Sequence, residues 1–272
     1  MTTSRIDARF AKLKAENRAG FVPFVMTGDP SREEALEILK GLPEAGADII
    51  EVGLAFSDPM AEGPPVQRAA QRGLKAGMTL RGTMDLVAEF RKTDQDTPVI
   101  LMGYLNPVES YGYARFAKEA AEAGIDGLIS VDCPPEEAAD LAAAMDAEQL
   151  SLIRLATPTS DDARLEVIAR GTSGFIYYVS VAGVTGVKEA QAASVAPAVA
   201  RVRKATGLPV AVGFGIKTPE RAAEIARVSD AVVVGSALVD EVAAALEAGE
   251  PAVPRVLAKV RTLSDAVRNA RN

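Results

Sequence analysis

The feature that most limits what this chain can fold into is an alternation that runs its whole length. Short β-rich runs open near Phe21, Ala47, Pro98, Asp126, Leu150, Gly174, Pro209 and Ala231, each followed by an Ala-, Glu- and Arg-rich stretch of helical periodicity, giving eight βα units. The cores of these runs, such as Ile49-Ile50, Val99-Ile100-Leu101, Ile176-Tyr177-Tyr178-Val179 and Val232-Val233-Val234, are continuously apolar. Strands read that way when helices cover both faces of a parallel sheet; an antiparallel sandwich would alternate. Ala45-Gly46-Ala47-Asp48 and Ala123-Gly124-Ile125-Asp126 repeat one turn pattern, a glycine closing a helix just before a strand opens. Helix starts are legible too: Ser31-Arg32-Glu33-Glu34 has the form of a capping box, and Thr218-Pro219-Glu220 sets a cap before a proline suited to the first helical position.

Eight such units in 272 residues predict an α/β protein with one domain over 1–272, a single (β/α)8 TIM barrel, a fold usually built from ~250 residues. Amphipathic segments at 5–14 and 253–267 predict extra N-terminal and C-terminal helices. The longest spacings follow the second and sixth runs. Loops at about 55–65 and about 181–192 are therefore the expected active-site lids, because the loops after the strands build the active face of such barrels.

What the chain lacks narrows its chemistry. It has no histidine, so a Ser-His-Asp triad, a Cys-His pair and an imidazole-held metal are excluded, and no metal site is expected. Cys133 is the single cysteine, which rules out an internal disulfide, and it reads as inert. None of the ten lysines falls in a strand core, against a Schiff-base aldolase. A net charge of −7 without any basic run sets nucleic acid aside as a partner. With 48% hydrophobic residues the chain can bury a full core, yet no apolar run is long enough for a spanning helix or a leader, so a cytoplasmic protein off the membrane is expected.

What remains is proton or carbon–carbon chemistry by carboxylates. Glu51 sits in Asp48-Ile49-Ile50-Glu51-Val52-Gly53, an acid inside an apolar strand, where desolvation should raise its pKa toward neutrality. The stiff loop that follows, Ala55-Phe56-Ser57-Asp58-Pro59-Met60-Ala61-Glu62-Gly63-Pro64-Pro65, offers Asp58 or Glu62 as a second carboxylate. Gly213-Phe214-Gly215-Ile216 and Gly235-Ser236-Ala237 each precede a helix start, the usual main-chain phosphate site of these barrels, which needs no Lys or Arg. Ser180 to Lys188 is small and glycine-punctuated and should move. Of Tyr177 and Tyr178, one must face the barrel and the other the helices. Arg154 and the methionines read as packing or interface residues.

These residues resemble a family. The stretch from Glu51 to Pro64, together with Phe21-Val22-Pro23-Phe24-Val25-Met26-Thr27-Gly28-Asp29-Pro30, Ala182-Gly183-Val184-Thr185-Gly186 and Gly213-Phe214-Gly215-Ile216, is similar in order and spacing to the tryptophan synthase alpha chains. The resemblance implies a lyase that splits indole-3-glycerol phosphate into indole and glyceraldehyde 3-phosphate without a cofactor of its own. It implies a beta-chain partner that carries pyridoxal phosphate and consumes the indole, in an alpha2beta2 heterotetramer. Glu51 would be the general acid/base, Glu62 the carboxylate near the indole N–H, and Tyr177 would stand by the reacting centre. Phe24, Met102, Ile129 and Phe214 would line the indole pocket, Thr185 would close over the substrate, and Gly186, Gly215, Gly235 and Ser236 would surround the phosphate. Ala55, Asp58, Asn106 and Pro107 would meet the beta chain. This chain departs from the family pattern twice, with Glu62 where Asp is usual and Ala55 where Pro is usual. Two other readings stand beside the first: a stand-alone lyase that releases indole, and a silent phospholigand-binding subunit that only activates a partner.

Overall fold

The computed structural model describes residues 4–180, 192–213 and 215–271, with side chains from 195 onward in the middle segment. Eight strands, β1 (Gly20–Met26), β2 (Ile50–Gly53), β3 (Val99–Gly103), β4 (Gly127–Ser130), β5 (Ser151–Ala156), β6 (Ile176–Val179), β7 (Val210–Gly213) and β8 (Ala231–Val234), pair in parallel in sequence order. They close into a barrel when β8 meets β1. Among the described residues twelve α-helices accompany them: α1 (Arg5–Ala15), α2 (Arg32–Gly41), α3 (Pro64–Lys75), α4 (Leu80–Arg91), α5 (Leu105–Tyr111), α6 (Tyr113–Ala123), α7 (Ala139–Ala147), α8 (Asp162–Ala169), α9 (Ala192–Thr206), α10 (Pro219–Ala226), α11 (Ser236–Ala248) and α12 (Ala252–Arg268). The expected (β/α)8 barrel with terminal helices is the observed fold. The long spacing after the second strand is mostly helix, α3 and α4, which leaves a short loop between Gly53 and Pro64.

Side chains sort by strand alternation into two apolar sets. Val22, Ile100, Ile129, Ile153 and Val233 fill the barrel interior, while Val52, Leu101, Leu128, Leu152 and Val212 face the helices. One end of the interior is closed by α1, whose Ile6, Phe10 and Leu13 are buried and whose Phe10 ring stands 5.6 Å from Phe175. At the other end of the chain, α12 buries Val256, Val260, Leu263 and Val267.

The repeated turn noted in the sequence has a physical purpose. The Asp48 carboxylate accepts from the amide of Phe21 at 2.9 Å and from the Arg18 guanidinium at 2.8 and 2.9 Å. Asp126 does the same for Val99 at 2.7 Å with Arg91 at 2.8 Å, and Asp230 for Val210 at 2.8 Å with Arg203 at 2.9 Å. Each acid satisfies an amide at the start of the preceding strand and pins it to the next. That is why β2 opens at Ile50 rather than Ala47: the intervening residues form the turn, with the Asp48 amide donating to Phe21.

The expected capping box forms by half. Ser31 accepts from the Glu34 amide at 3.2 Å, but the Glu34 carboxylate instead accepts from the amide of Ala252 at 2.8 Å, tying α2 to the start of α12. A long-range donor has outcompeted the local one.

Candidate active site

Glu51 is paired with Phe24 on β1 and Ile100 on β3, and its place in the alternation turns it into the barrel. It is only 2% exposed, and among the described residues no hydrogen bond or ion pair engages its carboxyl group. Burial, joined by the nearby Glu62 carboxylate, pushes its pKa up to about 8. An acid in that state holds its proton near neutrality and gives it up readily.

Glu62 is brought in from the loop. The chain leaves β2 with the Leu54 amide on the Met102 carbonyl at 2.8 Å, then tightens where the Glu62 amide reaches the Pro59 carbonyl at 3.1 Å. Two side chains hold the turn: the Tyr104 hydroxyl accepts from the Ala61 amide at 2.9 Å, and the Gln67 amide group donates to the Glu62 carbonyl at 2.9 Å. The rings of Phe56 and Tyr104 lie 5.3 Å apart. Gly63 then caps α3, with Pro64 and Pro65 fixing its first turn. The result buries the Glu62 side chain and pushes its pKa up to about 7 by desolvation. Asp58, the other candidate in this loop, is exposed, and it is Glu62 that stands in the cavity with Glu51.

Tyr177 supplies the third polar group. It faces the barrel while Tyr178 packs among the helices, and burial together with the two carboxylates raises its hydroxyl pKa well above the ordinary value. Two glycines make the room these side chains use. A Cβ on Gly213 would overlap the Tyr177 hydroxyl, and one on Gly53 would stand 2.6 Å from the end of the Phe24 ring.

Phe24, Glu51, Glu62, Met102, Tyr177, Gly215, Gly235 and Ser236 come together around one cavity of about 50 Å³. Ile129 does not line it; the side chain is fully buried in the interior cluster beside Met102 and Tyr177. Thr185, Gly186 and Phe214 lie outside the described residues, as does the expected second lid except its last position, where α9 opens. Val66, Ile216 and Val233 line the cavity without having been singled out. Val233 had a signal, since the central residue of Val232-Val233-Val234 had to face one side or the other. Among the described residues, no Lys or Arg lines this space. The start of α11, where the first amides have no partner within the helix, and Gly215, with its left-handed backbone at φ +72°, border it.

On the outside of the same face, Asp58 and Asn106 are exposed and Pro107 is half-buried. Ala55 departs from the expected surface position. It is buried against α3, beside the space above Gly73, because the loop turns inward before it turns out. Met60, which the sequence did not single out, is the apolar side chain this loop presents, at 70% exposed.

A family model, that of the tryptophan synthase alpha chain, matches residues 10–268. The chain belongs to the tryptophan synthase alpha chain family. A curated alpha chain from Phenylobacterium zucineum (strain HLK1) is 69% identical over 271 residues, covering 100% of this chain and 98% of that protein. One from Caulobacter vibrioides (strain NA1000 / CB15N) is 67% identical with the same coverage. The crystal structure of tryptophan synthase subunit alpha from Legionella pneumophila str. Paris superposes with a TM-score of 0.93 at 41% identity, covering 98% of this chain and 100% of that one. Among the described residues of this alpha chain, no cluster of three or more His, Cys, Asp or Glu could hold a metal, and no helix is long and apolar enough to cross a membrane.

Proposed function

We propose that this chain is the lyase subunit of tryptophan synthase, cleaving indole-3-glycerol phosphate to indole and glyceraldehyde 3-phosphate in the penultimate part of tryptophan synthesis. The observation that carries the reading is the pair Glu51 and Glu62, two buried carboxyl groups without partners among the described residues, set in one cavity with the start of α11.

The reaction is a retro-aldol cleavage. A proton must reach indole C3, the bond from C3 to the side chain must break, and the side-chain hydroxyl must lose its proton to become an aldehyde. Glu51, protonated near neutrality, donates to C3 and its carboxylate then takes up the hydroxyl proton, so the acid ends as it began. Protonating C3 places positive charge on the ring, and Glu62, ionised at the lower pKa, stabilises it at the indole N–H. The two pKa values order these roles, since between about 7 and about 8 Glu62 is charged while Glu51 still holds its proton. Tyr177 stands by the reacting centre, Phe24 and Met102 flank the ring, and Gly215, Gly235 and Ser236 receive the phosphate through main-chain amides. Ile129 shapes the ring pocket from the layer behind.

The chain carries no cofactor in this reading. Pyridoxal phosphate belongs to the beta chain, with which it forms an alpha2beta2 assembly in the cytoplasm through Asp58, Asn106 and Pro107. The loop at about 55–65 serves as a lid within a single barrel domain over 1–272. Steady-state indole release by the purified chain, alone and with a beta chain, tests the proposal. Turnover that rises with the beta chain supports it, full turnover alone makes it a free-standing lyase, and no turnover in either case leaves only a silent activator.

A further inference from the structure

A second cleft opens outside the barrel wall, between the segment after β4 and α8, with a volume of about 560 Å³. Arg154 of β5 forms part of its wall. Ile153 and Leu155 point into the barrel and Leu152 and Ala156 toward the helices, so the alternation sends Arg154 outward as well. The side chain is only 8% exposed, yet its Nε and Nη1 find no hydrogen-bond partner, the only buried side-chain polar atoms in that condition among the described residues. The other buried guanidinium among the described residues is engaged: Arg91 bonds Asp126 and the carbonyls of Gly124 and Thr97.

A buried charge without a partner destabilises the fold that holds it, so its position calls for an acceptor from outside the chain. The rest of the cleft is suited to one. Arg164 lines it, ion-paired with Glu136, as do the hydroxyls of Thr157 and Ser160, 3.3 Å apart. The one acid among its lining residues, Asp132, is already accepting from the Leu105 amide at 2.8 Å and the Ser130 hydroxyl at 3.2 Å.

We propose that this cleft binds the phosphoryl or carboxylate group of a small anion on Arg154, at a site separate from the barrel cavity. The oxygens of the anion accept from the guanidinium N–H groups that otherwise lack acceptors, while Arg164 and the two hydroxyls serve the remaining oxygens. The two sites differ in kind: among the described residues the barrel cavity has no Lys or Arg in its lining, whereas this cleft has two guanidiniums.

Cys133 lines the cleft and is the only cysteine of the chain, so its alkylation reports on this site alone. The rate of reaction with iodoacetamide is measured on the full chain against increasing inorganic phosphate and, separately, malonate, with ionic strength held constant by chloride. At least one anion should slow alkylation saturably, by about threefold or more, by covering the thiol and by quenching the positive field that favours its thiolate. The anion that protects identifies the class. Protection should vanish in Arg154→Met and Arg154→Gln, and Arg154→Met should melt at a higher temperature than the parent while releasing indole at the parental rate. Absence of saturable protection in the parent by either anion overturns the proposal, a result that needs no variant to fold. Equal protection in Arg154→Met, or a lower melting temperature for it, overturns it as well.

Discussion

The ring of Tyr177 occupies the space that a Cβ on Gly213, two positions along the adjacent strand β7 from its partner Ala211, would need. The glycine therefore shapes the cavity although it is not among the residues that line it. Gly213→Ala should push the hydroxyl toward the carboxylates and lower kcat/KM for indole release by about 10- to 100-fold, the scale expected for an ångström of misplacement. Far-ultraviolet circular dichroism should remain parental. Parental kinetics would show that the Tyr177 position is not critical.

Activity should be bell-shaped in pH. Its acid limb, near 7, follows ionisation of Glu62 and its alkaline limb, near 8, follows loss of the Glu51 proton. Glu51→Gln and Glu62→Gln should each reduce indole release by at least about 100-fold. A flat profile between pH 6 and 9, or a Glu62→Gln variant with most of its turnover, would remove the pair from the mechanism.

Both acids have folded-state pKa values raised above the unfolded value of 4.5. The folded chain then binds more protons than the unfolded one between the two values, so stability falls as pH rises from about 5 to about 8. The loss is on the order of 1.4 kcal/mol for each unit of upward shift, an upper bound for a coupled pair. Melting temperatures measured across this range should decline in the parent and decline less in Glu51→Gln. An equal slope in both would place the proton elsewhere.

Tyr104 holds Glu62 in place from a distance, through the Ala61 amide. Tyr104→Phe keeps the ring against Phe56 and deletes one hydrogen bond, so stability should fall by only about 1 kcal/mol. The looser loop should lower kcat by about 10-fold, more than it changes KM. A variant that loses KM alone would assign the loop to substrate binding instead.

At the opposite end of the barrel, Asp126 joins the Val99 amide to Arg91 and Arg5. Asp126→Ala leaves a buried guanidinium and a strand amide unpaired, and chemical denaturation should show a loss of about 3–5 kcal/mol. Kinetics at temperatures where the variant is folded should stay near parental, since no residue of the cavity is touched.

The order of the strands, the terminal helices and the inward acid on the second strand were legible because each depends on local information. Continuous apolar cores mark covered strands, and the alternation of a strand sets which of two neighbours faces the barrel once one is known. The same logic left Arg154 as packing, since periodicity places a side chain on a face without saying whether its polar atoms find partners there. Between Asp58 and Glu62 spacing alone offered no choice, and only the family resemblance favoured Glu62. That was decided by the Tyr104 hydroxyl, supplied by a segment more than forty positions later, and by barrel closure, which brings β3 beside β2. A long-range donor, the Ala252 amide, likewise took the Glu34 carboxylate from its own helix to the start of α12, and the fold buries Ala55 beside Gly73 of α3. Local pattern specifies which residues are apolar and where chains turn; only the closed barrel specifies which loop atoms meet, because those hydrogen bonds join segments whose proximity no local spacing encodes.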